Sequence, residues 1–396
     1  TVKHVNDAFC ESFLPEIEAH AAGLGTDDFS VFGDVFSGDP EFVSRFSTEL
    51  PFPSTLDFRF DEKVRSAVSA GNATDELRTL FADDDWFTDA DSNASALHKF
   101  VGNHDRGRVG HYIDADQPGA SDSERVGRAS LAQALNFFSR GTPVIYYGDE
   151  QGFTGSGGDK DARQDMFPSS VPDYNDDDLI GTAATTADDN FDTTHPLFQL
   201  VSDFAALRDA HPAFRTGAQL HRYSEGSDGI YAFSRIDRTE QVEYLVAVNT
   251  SESARSATFS TDSPGAAFTE IWPGTGPSIT AGASGAISVD VPALDVVVYR
   301  ADSPVPTDTT PDGIAVTSPA PGASVFGRTE VAADVSPGTY AEVTFAVSVD
   351  GAPYEVLGVD DNTPYRVFHD VSGLPVGAEV TYKAIVRDLG DNLNAA

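Results

Sequence analysis

From the first residue to about 212, short apolar runs alternate with stretches whose apolar residues recur at helical spacing, the rhythm of a parallel α/β sheet. The candidate strands are 29–34, 55–60, 97–102 and 143–148. Between the last two, Ser121 followed three residues later by Glu124 is a capping-box pattern. The apolar stripe Leu131, Leu135 and Phe138 then predicts a helix, and Gly141 marks its stop. A second helix is predicted from Pro196, with Leu197, Leu200, Val201, Phe204 and Leu207 on one face. These stripes are core packing and carry no chemistry.

After His211 and Pro212 the period falls to two. Runs at 219–223, 229–236, 242–249, 286–291 and 296–300, separated by Gly, Ser, Thr and Asp, predict a small antiparallel β domain. Residues 303–312 are rich in Pro and Thr and read as a linker. From 313 the chain is again all β, with a hairpin turn at Asp350-Gly351 and a final strand at 380–386. A unit of this size and pattern resembles an immunoglobulin-type sandwich.

Charge narrows the partners. The 396 residues carry 63 acids against 25 bases, a net charge of −38, and the excess is spread along the chain. Nucleic acid and anionic membranes are excluded as partners, since each needs a basic patch. Such a surface suits a protein in high salt, where screening removes self-repulsion, and equally an acidic secreted protein. The single cysteine, Cys10, makes no internal disulfide and reads as a small buried side chain. No apolar run reaches the length of a membrane-spanning helix. The first residues, Thr1-Val-Lys-His, have neither the basic nor the apolar region of a signal peptide and no Met.

In parallel α/β folds, sites form at the carboxyl ends of strands. The first candidate strand ends in Gly33-Asp34 and the third runs into Gly102-Asn-His-Asp105. Two carboxylates so placed are the pair that glycosidic cleavage requires: one protonates the leaving oxygen and the other stabilises charge at the anomeric carbon. In a chain this acidic a loop Asp is ordinarily a turn former, so spacing alone does not decide. Other motifs are weaker. Gly155-Ser-Gly-Gly158 lacks the Lys-Ser/Thr of a phosphate loop and reads as a flexible loop. His98, His104 and His111 lack zinc spacing. The runs 83–85 and 176–178 lack the pattern of a calcium loop and read as solvated turns. Trp86, Tyr112 and Tyr174 are candidate sugar-stacking rings.

Local sequence decides. Thr1-Val-Lys-His-Val5, Phe32-Gly-Asp-Val-Phe-Ser-Gly-Asp-Pro40, Phe100-Val-Gly-Asn-His-Asp105 and Gly141-Thr-Pro-Val-Ile-Tyr-Tyr-Gly-Asp-Glu150 resemble, in order, motifs of the α-amylase family of glycoside hydrolases that follow barrel strands four, five, seven and eight. Asp161-Ala-Arg-Gln-Asp-Met-Phe167 and His195-Pro-Leu-Phe198, leading to Ala206-Leu-Arg-Asp-Ala-His-Pro212, look like that family's stretch before and along the last barrel helix. The resemblance covers 1 to about 300. It implies four parts: the C-terminal half of a (β/α)8 barrel at 1–212, an antiparallel β-sandwich domain at 213–302, the linker at 303–312, and the immunoglobulin-like module at 313–396.

By the same resemblance Asp105 matches the transition-state stabiliser and His104 the histidine that hydrogen-bonds the sugar at the cleavage point. Lys3 and His4 match the pair holding the glucan on the leaving-group side, with the His4 carbonyl offered to a structural calcium. Asp34 stands at the general acid. The implied reaction is retaining hydrolysis of α-1,4-glucans, polymeric or oligomeric, by an extracellular or secreted protein. The motifs do not separate α-amylase from cyclomaltodextrinase, α-glucosidase or glucanotransferase.

Two departures stand out. The family acid is Glu, and Asp34 is one methylene shorter, which sets the carboxyl back by roughly an ångström and costs on the order of a hundredfold in rate. The nucleophilic Asp belongs immediately before Thr1, so it and the first four barrel strands are expected to lie on a longer gene product. The 396-residue chain alone is then expected to be inactive on starch and prone to self-association. Two readings from other classes stay open: a degenerate glucan-binding protein without turnover, and an adhesive protein built on the C-terminal sandwich.

Overall fold

The computed structural model describes residues 1–26, 28–155, 157–175, 177–337 and 339–396. Strands β1 (Phe32–Gly33), β2 (Ser54–Asp57), β3 (His98–Lys99) and β4 (Thr142–Pro143) lie side by side in that order, and each neighbouring pair is parallel. Around them are helices α1 (Asp7–Gly23), α2 (Pro40–Thr48), α3 (Phe58–Val64), α4 (Asp75–Ala82), α5 (Val109–Asp116), α6 (Asp122–Phe138), α7 (Pro196–Ala210) and the short α8 (Ala213–Thr216).

α6 is the predicted helix with its predicted cap. The Ser121 hydroxyl accepts from the Glu124 amide at 3.3 Å and the Glu124 carboxylate accepts from the Ser121 amide at 2.6 Å. Leu131, Leu135 and Phe138 are fully buried. Gly141 then turns the chain into β4 at φ +93°, where a Cβ would lie 2.8 Å from the Leu97 carbonyl oxygen. α7 begins at Pro196 as expected, and the side chain of His195 caps it, Nδ1 accepting from the Leu197 amide at 3.2 Å.

The strand expected at 55–60 is corrected. It ends at Asp57, whose side chain accepts from the Phe60 amide at 2.9 Å and so starts α3 without a loop. Phe58 and Phe60 fit an alternating reading, but they enter the core from a helix.

The second unit is antiparallel. Its strands are β5 (Ala218–Tyr223), β6 (Ile230–Ile236), β7 (Glu243–Asn249), β8 (Arg255–Ser260), β9 (Ala267–Trp272), β10 (Ile279–Thr280), β11 (Ala286–Val291) and β12 (Asp295–Ala301). They form a six-stranded sheet ordered β10-β9-β12-β7-β6-β5 and a β11-β8 ribbon. β8, β9 and β10 are additions to the predicted set. The first two units share one core: Phe138 meets Phe204 and Phe214 at 4.8 and 5.0 Å between ring centroids, and Phe204 meets Trp272 at 4.9 Å.

The third unit has two antiparallel sheets. β13 (Gly313–Ser318), β14 (Arg328–Ser336) and β17 (Arg366–Asp370) form one. β15 (Ala341–Val349), β16 (Glu355–Asp360), β18 (Val380–Asp388) and β19 (Leu393–Ala395) form the other, ordered β16-β15-β18-β19. Val331, Phe345, Val367 and Val386 fill the space between them. The strand expected to be last, 380–386, is followed by β19. Residues 303–312 are a held connection: Val305 is buried with Leu220, Ile236, Tyr340 and Leu389, and its amide donates to the Gln241 carbonyl at 2.8 Å.

The third unit also docks on the first. Trp86 stacks on Phe368 with centroids 3.5 Å apart and planes within 3°. Arg328 donates to the Glu41 and Trp86 carbonyls and to Ser44 Oγ. The expectation of a sugar-stacking Trp86 is thereby corrected, because its face is covered. The solvated turn expected at 83–85 is corrected too. Asp84 and Asp85 are buried, paired with Arg140 at 2.5 Å and with Arg366 at 2.7 Å. Of 176–178, Asp176 lies outside the described residues.

Candidate active site

At the carboxyl ends of β1 and β3 the chain presents its two candidate carboxylates. Asp34 follows β1 directly. Its carbonyl accepts from the Val2 amide at 2.9 Å, which lays the N-terminal segment alongside, and its Oδ2 lies 3.8 Å from the Thr1 nitrogen. Asp34 Oδ1 is buried and has no hydrogen-bond partner among the described residues. The turn Val2–His4 carries Lys3 and His4. Lys3 Nζ donates to the Phe36 carbonyl at 2.6 Å and sits 5.4 Å from the centre of the Phe36 ring, while His4 is exposed.

Past β3, the loop 102–107 closes on itself. Asn103 and Gly107 exchange two backbone hydrogen bonds at 3.0 and 2.9 Å, and Asn103 Oδ1 accepts from the amides of Asp105 and Arg106 at 3.0 and 2.8 Å. This turn projects His104 and Asp105 outward, His104 Nε2 3.3 Å from Asp105 Oδ1, with side chains 47% and 39% exposed. Both remain open to a ligand.

Phe36 is where the two loops meet. Besides Lys3, the Arg106 guanidinium approaches its ring at 5.9 Å. The ring packs against Phe58, and Phe58 against Phe100 at the base of the Asp105 loop, at 4.8 and 5.2 Å. Asp34, Asp105, His104 and Lys3 therefore belong to one face at the carboxyl end of the sheet.

Three residues that sequence reasoning missed hold this face. Arg106 Nε donates to Asp61 Oδ2 at 2.9 Å. Arg108, fully buried, donates to the Tyr147 carbonyl at 2.8 Å and Asp149 at 2.9 Å, and to Gln164 at 2.8 Å, tying the Asp105 loop to the segment after β4. Burial pushes Asp61 and Asp149 up to about 6, with Arg106 and Arg108 respectively pulling the other way. The only sequence signal was two arginines just past Asp105. Tyr112 is occupied: Arg65 covers its ring at 3.8 Å and its hydroxyl donates to the Arg106 carbonyl.

A calcium ion takes six to eight oxygens. Among the described residues no group of three or more His, Cys, Asp or Glu side chains is placed to hold a metal ion.

The chain's two leading units match known families. The family model for the α-amylase catalytic domain matches residues 3–217, and the one for the α-amylase C-terminal all-β domain matches 223–302. The chain belongs to the α-amylase family. It is 42% identical over 389 residues to an α-amylase of Streptomyces lividans, covering 98% of this chain and 42% of that protein. A cyclomaltodextrin glucanotransferase of a Bacillus strain is 26% identical over 76% of this chain and 38% of its own length. The crystal structure of an α-amylase from Geobacillus thermoleovorans complexed with acarbose superposes with a TM-score of 0.60 at 18% identity, covering 76% of this chain and 58% of that one. The chain thus spans less than half the length of these two sequence relatives. The expectation of an inactive chain gains no support here, since the S. lividans relative matches nearly all of it.

Proposed function

We propose that this chain carries the acid/base and the transition-state stabiliser of a retaining glycoside hydrolase acting on α-1,4-glucans. The observation that carries the reading is the meeting of the Asp34 and Asp105 loops around Phe36, with Lys3 bonded to its carbonyl. Asp34 would protonate the leaving oxygen and then deprotonate water. Asp105 would stabilise the oxocarbenium-like charge, while His104 and Lys3 would hold sugar hydroxyls. Retention needs a nucleophile on the opposite side of the anomeric carbon, about 5 Å from the acid. The family resemblance assigns it to the position preceding Thr1. The four parallel strands would be consecutive strands of a (β/α)8 barrel, and the third unit an immunoglobulin-like module. A polymeric glucan does not cross a membrane, so the proposal implies work outside the cell.

The test is an assay of the natural full-length protein on maltoheptaose with NMR detection of the first product's anomer. The expected result is an α product, and loss of turnover by on the order of a thousandfold in Asp105→Asn. A β product, or unchanged turnover in that variant, overturns the reading.

A further inference from the structure

The loop bearing Asp105 is closed by its own hydrogen bonds and also anchored from outside, and both kinds of contact meet at the next residue. Arg106 is fixed at three points. Its amide is bonded to Asn103 Oδ1, its carbonyl accepts from the Tyr112 hydroxyl, and its side chain turns back so that Nε reaches Asp61 Oδ2 at 2.9 Å. Asp61 lies in α3, with its side chain 1% exposed, and its other oxygen is buried with no hydrogen-bond partner among the described residues. Replacing such a pair with well-packed apolar side chains is often neutral or stabilising. Stability alone therefore gives Asp61 little reason to be a carboxylate. Its location gives a better one: the arginine it grips adjoins Asp105 and also lies against Phe36, two residues beyond Asp34.

We propose that Asp61 is a positioning residue which, through Arg106, sets the Asp105 carboxylate relative to the Asp34 loop. The catalytic consequence rests on the function proposed above, whereas the positional claim stands independently of it. Displacement of a reacting group by about 1 Å costs on the order of a hundredfold in rate, so a loosened loop is read in kcat. The substrate contact of Lys3 does not pass through Asp61, and His104 shares the loop, so the larger effect is expected in kcat and a smaller one in KM.

Two measurements test this. In the natural full-length protein, amide hydrogen exchange over residues 103–107 is followed in the native sequence, in Asp61→Asn, and in the apolar pair Asp61→Leu/Arg106→Met. In the natural full-length protein, kcat and KM on maltoheptaose are measured for the same variants. The expected result is faster exchange in this loop in both variants and kcat lower by about ten- to a hundredfold with KM within about twofold. The thermal midpoint of the apolar pair is expected to stay near that of the native protein. Unchanged exchange in folded variants overturns the positional claim, as does a kcat that follows the thermal midpoint. If the native protein does not cleave glucan, the proposed function fails, and the exchange data still decide the role of Asp61.

Discussion

Arg366, on the first residue of β17, places Nε 2.7 Å from Oδ2 of Asp85, a carboxylate whose side chain is 1% exposed in the first unit. The same guanidinium donates to the Ala82 carbonyl and to Glu330. One side chain thus joins the third unit to the first. Removing it leaves Asp85, already pushed up by burial, without its strongest partner. Loss of one partner of a buried pair costs about 3–5 kcal/mol. Arg366→Ala is expected to lower the free energy of unfolding in urea by an amount near the lower end, since the arginine is partly exposed. A loss below about 1 kcal/mol contradicts the assignment.

Asp61 makes stability depend on pH with a definite sign. Its folded value, raised by burial from 3.8 to about 6, means that the folded protein binds more protons than the unfolded chain between those limits. The contribution is fully present below the unfolded value and lost as pH rises through about 6. A shift of this size corresponds to on the order of 3 kcal/mol. The groups around it are Arg106 and Arg65, which pull down, and Glu62, which pushes up, with Tyr112 and Asp149 nearby. Urea unfolding at pH 4 and pH 7 is expected to show a smaller decline in Asp61→Asn than in the native protein. Parallel declines contradict it.

In its proposed role Asp34 is a shorter acid than the Glu that the family resemblance implies at this position. If reach limits proton transfer, Asp34→Glu in the natural full-length protein is expected to raise kcat on maltoheptaose by up to about a hundredfold with little change in KM. A fall in kcat means that the local backbone already brings Asp34 within range.

The elements legible in the sequence were those with local determinants. The Ser121/Glu124 cap and the stripe of α6 were readable, as were Pro196 at the start of α7, the exact limits of β11, and the left-handed Asp350-Gly351 turn. The boundary at Asp57 was not, because the residues after it suit either period and a side-chain cap decides. β8 turns only Ala257 and Phe259 inward, too few to stand out. The acids at 84 and 85 and the Trp86 ring took their meaning from Arg140, Arg366 and Phe368, distant in sequence. In the site, Asp34 and Asp105 were found through motif resemblance. Asp61 and Arg108 carry no motif, and only the fold reveals what they hold.

The division of labour between the two carboxylates is tested most directly with α-maltosyl fluoride, whose leaving group needs no proton. In the natural full-length protein, Asp34→Ala is expected to lose maltoheptaose hydrolysis while still releasing a first equivalent of fluoride rapidly, its steady release then slowed by loss of the base that activates water, and Asp105→Asn to lose both phases. A first equivalent of fluoride released from Asp34→Ala as slowly as maltoheptaose is cleaved, or fluoride release at the native rate in Asp105→Asn, contradicts the assignment of acid and stabiliser.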